Sequence, residues 1–222
     1  MKKKTQRIFA GILALLVSVA MVGSGLLVFF FTGDELPNGS SGVNQTSDAK
    51  ANYEAQKLRL NGIVEKAKLE PENIPLQKAL GNEYYDTGLA AETAAPTEVE
   101  GHYKQAVLAY QNVLKTDKDP NVMVDLATAA FKSGDNELAD KSFKEALALK
   151  PDFYNGLVNY GVFLANVKQD LPAAIVQWQK AQEIAKTATE KEQIKSIISQ
   201  AQSQLKSEGK APDGLSNPIL KE

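Results

Sequence analysis

The chain is predicted to be all-α, an N-terminal membrane-spanning helix followed by stacked helical hairpins. Three observations predict this: a charge-free apolar stretch near the N-terminus, the absence of an alternating strand pattern beyond Asp48, and two side-chain patterns that recur about every 34 residues.

From Ile8 to Gly33 no residue is charged. That run exceeds the ~20 residues needed to cross ~30 Å of hydrocarbon. Lys2, Lys3, Lys4 and Arg7 precede it and Asp34 and Glu35 follow, so the positive-inside bias places residues 1–7 in the cytoplasm as a basic tail and everything after Gly33 outside. A cleaved signal peptide ending at Ser18-Val19-Ala20 fits less well, because cleavage there leaves the apolar MVGSGLLVFFF at the new terminus. Residues 34–47 (DELPNGSSGVNQTS) are rich in Gly, Ser, Asn and Pro and read as a flexible tether, reaching on the order of 20 Å.

The next stripe, Tyr53, Leu60, Ile63, Val64 and Ala67, predicts a flanking helix within residues 48–72, stopped at Pro71. From there the two patterns alternate. The first is a bulky residue, a small one and a third three positions on: Leu80-Gly81-Tyr84, Leu126-Ala127-Ala130 and Tyr160-Gly161-Leu164. The second is small, aromatic, small at spacings of four and three: Ala106-Tyr110-Val113, Ala139-Phe143-Ala146 and Ala174-Trp178-Ala181. Ala127 to Gly161 is 34 residues, Ala106 to Ala139 is 33 and Ala139 to Ala174 is 35. Small residues let the two helices of a hairpin approach, the aromatic fills the space to the next hairpin, and Gly134 and Pro151 break the chain.

Three irregularities are visible. About a dozen extra residues, Leu89 to Gly101, separate the helices of the first hairpin, which predicts lengthened helices and a longer turn, with Thr97-x-x-Glu100 as a capping box, in preference to a projecting partner-binding loop. The third copy gains a residue around Lys168-Gln169-Asp170 without a turn glycine, and Lys186 stands where the second copy has Pro151. Ile194, Ile197, Ile198, Ala201 and Leu205 predict a capping helix over 187–208, and 209–222 a flexible tail.

These residues resemble the tetratricopeptide repeat (TPR) family, in its bitopic, membrane-anchored bacterial form. Leu126, Ala127, Ala130, Gly134, Ala139, Phe143, Ala146 and Pro151 match the motif in the best copy, and the likeness extends over three repeats, 73–186. It implies a right-handed superhelix whose concave groove is lined by the first helix of each hairpin. The residues expected there are Lys78, Asn82 and Tyr85, then Val124, Thr128 and Phe131, then Val158, Val162 and Ala165. One subset of the family grips a peptide carboxylate with Lys, Asn and Arg residues. Lys78 and Asn82 match its first members, but Asp125 stands where asparagine is expected and Asn155 and Asn159 replace the cations, so that function is not implied.

Composition removes most chemistry. There is no cysteine and one histidine, His102, which reads as a surface residue at a helix start; disulfides, thiolate metal sites and cysteine nucleophiles are excluded and no metal or other cofactor is expected. With 25 Lys+Arg against 27 Asp+Glu, and Arg7 and Arg59 the only arginines, nothing suggests a nucleic acid partner. No phosphate-cradling loop or nucleophile elbow occurs, so no catalytic residues, no enzyme and no small-molecule substrate are predicted. The resemblance implies a scaffold or adaptor of the bacterial cell envelope that holds a protein or peptide in its groove, in assembly or quality control of exported or membrane proteins. An apocytochrome-holding subunit of a cytochrome c maturation system is the alternative of similar layout.

Overall fold

The computed structural model describes residues 42–207 and Gly209. The basic tail, the apolar segment 8–33, the tether up to residue 41 and the end of the tail lie outside the described residues. Among those described, every regular element is helical, and no helix is long and apolar enough to cross a membrane.

The chain divides into two compact units at Pro151. The first holds α1 (Gly42–Leu69), α2 (Ile74–Ala94), α3 (Val99–Leu114), α4 (Pro120–Ser133) and α5 (Asn136–Leu149). The second holds α6 (Tyr154–Phe163), a π-helical turn (Leu164–Lys168), α7 (Leu171–Ile184) and α8 (Ala188–Ser207).

In the first unit α1 begins at Gly42, inside the stretch expected as tether, because extending a helix costs far less than nucleating one. Lys66 and Lys68 in its last turn suit the negative end of the helix dipole. Asn73 caps α2 by accepting from Leu76 N at 3.1 Å, and Asp119 caps α4 by accepting from Asn121 N at 2.8 Å, each with a proline in the first turn. Gly134 ends α4 at φ 87°, a left-handed conformation that suits glycine, and Asp135 N–H closes the turn on Ala130 O at 2.9 Å. Asp135 then caps α5 through Leu138 N.

The insert after Leu89 is taken up by long helices: α2 has 21 residues and α3 has 16, against 14 in both α4 and α5. The Thr97/Glu100 capping box is not made. Glu98 occupies the N-cap without a side-chain cap bond, since its carboxylate is drawn to Tyr53 instead.

Two aromatics of the first hairpin meet glycines of that same hairpin. A Cβ placed on Gly81 would come within 2.5 Å of the Tyr110 ring, and one on Gly88 within 2.9 Å of Tyr103. The repeat signature residues Ala127, Ala130, Ala139, Phe143 and Ala146 are all buried.

The second unit repeats this pairing: a Cβ on Gly161 would overlap the indole of Trp178, whose Nε1 donates to Val158 O at 3.1 Å. The extra residue near Lys168 is accommodated by widening α6 into the π-helical turn, and Gln169 takes the left-handed position at φ 54° that Gly134 holds in the first unit. Asp170 caps α7 through Ala173 N. In place of a proline, the turn into α8 uses a reciprocal box. Thr187 Oγ1 accepts from Glu190 N at 3.1 Å, and the Glu190 carboxylate accepts from Lys186 N and Thr187 N at 2.8 and 2.9 Å.

Candidate functional site

In the first unit α2 and α4 are joined at both ends. Lys78, near the start of α2, pairs with Asp119 at the start of α4 at 3.2 Å; Glu92, near the end of α2, pairs with Lys132 near the end of α4 at 2.8 Å. Start meets start and end meets end, so the two helices run in the same direction, with α3 packed against both.

Two buried tyrosines of α3 connect this face to the core. Tyr110 OH donates to Asn82 Oδ1 at 2.9 Å, and Tyr103 OH donates to Glu92 Oε1 at 2.7 Å. Tyr85 tilts against the Tyr103 ring at 5.3 Å between centroids, and Lys132 Nζ lies 5.9 Å from the same ring.

Charges on the face are unequal in circumstance. Burial works against Asp119, but hydrogen bonds from Asn121 and the Lys78 ammonium hold its carboxyl below the usual range. Asp125 makes no such bonds among the described residues; burial pushes it up to about 6, with Lys78 pulling it down and Asp119 pushing it further up. Burial and the carboxylates of Glu92, Asp125 and Asp86 raise the Tyr85 phenol.

Of the positions expected to line a groove, Asn82 is exposed and Lys78, Tyr85, Thr128 and Phe131 are half-buried. Val124, Val158, Val162 and Ala165 are not: they are 3%, 2%, 6% and 2% exposed. The apolar strip expected to be open at these four positions is buried, as follows when valine on a crowded helix is removed from water at roughly 25 cal/mol per Å². Of these positions, those that stay accessible in the first unit are polar or aromatic. Lys78 and Asn82, the two matches to a carboxylate grip, are engaged by Asp119 and Tyr110.

Glu92, Lys132 and the hydroxyls of Tyr103 and Tyr110 escaped sequence reasoning. Glu92 and Lys132 are 40 residues apart and Asn82 and Tyr110 are 28 apart, and no local periodicity links such pairs. A search for opposite charges one repeat apart, allowing for the insert, is the signal that finds the first pair.

His102 is half-buried, not a plain surface residue. Its Nε2 lies 2.8 Å from Tyr53 OH, which donates to Glu98 Oε2 at 2.9 Å, and Lys57 Nζ sits 5.1 Å from the Tyr53 ring. The cluster fastens α1 to the start of α3, and burial holds the His102 imidazolium below its usual range, with Glu98 opposing and Lys57 assisting. Among the described residues no group of three or more His, Cys, Asp or Glu side chains converges as a metal site would.

Two crystal structures of MamA resemble the chain at 13% and 14% identity, each with a TM-score of 0.49, covering 78% of this chain and 99% and 95% of theirs. No curated protein matches it. A family model described as the cilia and flagella-associated protein 70 middle TPR-like domain matches residues 89–208, from within α2 to the end of α8. With more than half of its length matched, the chain belongs to this family of TPR-like domains.

Proposed function

We propose that the chain is a membrane-anchored TPR scaffold that holds a protein partner on the α2–α4 face, outside the cytoplasm, in the assembly or quality control of exported or membrane proteins. One observation carries the site: ion pairs at both ends hold α2 and α4 in register, while Asn82, Tyr85, Thr128 and Phe131 between them keep accessible surface. A face preorganised in this way loses little conformational freedom on binding. The anchor rests on the charge-free sequence from Ile8 to Gly33 and the cations before it.

A photo-crosslinking residue placed at Asn82 should capture a discrete partner from membranes, and one placed at Leu149, exposed on α5, should not. The pair Tyr85→Ala and Phe131→Ala should cut capture at least tenfold. Equal capture at both positions, or none at Asn82, rejects the face.

A further inference from the structure

On the α2–α4 face the ammonium groups are already used. Lys78 pairs with Asp119 and Lys132 with Glu92, so each has its carboxylate. Asp125 stands on the same stripe of α4 as Lys132, about two helical turns before it, and is left over. It is half-buried, and among the described residues no hydrogen bond or ion pair reaches its carboxylate. Its charge also bears on the phenols of Tyr85, from α2, and Tyr110, from α3. Burial first, and then acidic neighbours that include Asp125 and Asp86, hold both phenols above the ordinary range.

Withdrawing a carboxylate from water without a donor is costly, and Lys78 offsets only part of that cost. The ionised Asp125 therefore weakens the free chain and gains nothing within it. Around it the accessible surface of Asn82, Tyr85, Thr128 and Phe131 is uncharged, so the face offers an anion with no countercharge beside two aromatic rings. A charge that costs stability in the middle of a binding face is accounted for when the ligand completes it. We propose that the partner is gripped on this face through a lysine or arginine side chain that docks on Asp125, its alkyl stem against the rings of Tyr85 and Phe131. This deepens the reading of the α2–α4 face as the partner's site and rests on it. Complementarity of charge then sets which segment of the partner is chosen, and an acidic segment is repelled.

The test is a titration of the full chain, in uncharged detergent micelles, monitored by amide NMR. The probes are acetyl-Gly-Leu-Lys-Gly-amide and the same peptide with glutamine or glutamate in place of lysine. Expected are saturable shifts centred on Asn82, Tyr85, Asp125 and Thr128 with the lysine peptide, at least tenfold weaker binding of the glutamine peptide, and none of the glutamate peptide. Lowering the pH from 7.5 to 5 should weaken the lysine peptide about tenfold, because the cation binds the ionised carboxylate and protonation near 6 removes it. Over that range Asp119, held below its usual value, stays ionised, and the raised phenols of Tyr85 and Tyr110 stay neutral. Asp125→Asn should reduce the lysine peptide to the affinity of the glutamine peptide and abolish the pH dependence, while the melting temperature at pH 7.5 rises, so that lost binding is not lost folding. Glu145→Gln, an equal charge change on α5, should leave binding unchanged. The proposal is overturned by equal affinity for the lysine and glutamine peptides, by a lysine preference or pH dependence that survives Asp125→Asn, by an equal loss in Glu145→Gln, or by no saturable shift on the face. If a crosslinker at Asn82 still captures a discrete partner beside any of these results, the face stands and only its choice of a cation falls; if capture fails as well, the face falls with it.

Discussion

Gly62 and Gly81 are both helix-interior glycines, and the same substitution should act on them in opposite directions. A Cβ at Gly62 meets nothing within 4 Å, whereas one at Gly81 presses into the Tyr110 ring. Gly62→Ala removes unfolded-state freedom and should stabilise by about 0.5–1 kcal/mol. Gly81→Ala should cost on the order of 1–3 kcal/mol, because Tyr110 is buried and its hydroxyl is held by Asn82. Chemical denaturation of the two variants beside the parent reads both signs. Asp125 gives a second residue-level test, now in pH. Its folded carboxyl, pushed up to about 6, binds a proton more tightly than the unfolded chain does. The ionised form is therefore a cost above pH 6 that is relieved as pH falls through 6 towards the ordinary value near 3.8. Asp125→Asn should stabilise by on the order of 1–3 kcal/mol at pH 7.5 and by nothing measurable below pH 4. A gain that is the same at both pH values would show that ionisation is not its cause.

At the scale of elements, helix order and the terminal helix were legible, because small and aromatic residues that must pack together recur about every 34 residues. Irregular joints were legible only as departures. The surplus residue near Lys168 announced a rebuilt turn, but whether it would bulge or widen the helix depends on hydrogen-bond closure, which a spacing does not encode. Thr187-x-x-Glu190 carried the same capping signature as Thr97-x-x-Glu100, yet only the former closes, because Tyr53 engages the residue at the α3 N-cap. Exposure was the least legible property. Val124 and Thr128 occupy one stripe of α4, and which of them is covered depends on neighbours distant in sequence. The α8 box yields a prediction: Glu190→Gln retains weaker acceptors, while Glu190→Ala leaves Lys186 N and Thr187 N without partners. The alanine variant should cost about 1 kcal/mol and the glutamine variant roughly half of that, read as lost hydrogen-exchange protection in the first turn of α8.

On the scale of the whole molecule, the described helices are those of a repeat domain, and the charge pattern ahead of them carries the case for a fixed orientation at a membrane. With the N-terminal cations set aside, the remainder has 21 basic and 27 acidic residues, so the apolar segment separates a positive end from an acidic body. In the proposed orientation the cations are retained in the cytoplasm and the repeats lie outside. Protease added to intact cells should degrade the region from α1 to α8 while a tag fused ahead of Lys2 stays protected. Replacing Lys2, Lys3, Lys4 and Arg7 by glutamate should weaken or invert that protection, because the proposed orientation is argued from those four side chains and not from the repeats. A protected repeat domain in the parent chain, or a mature N-terminus at Met21, would refute the anchored orientation while leaving the TPR-like fold untouched.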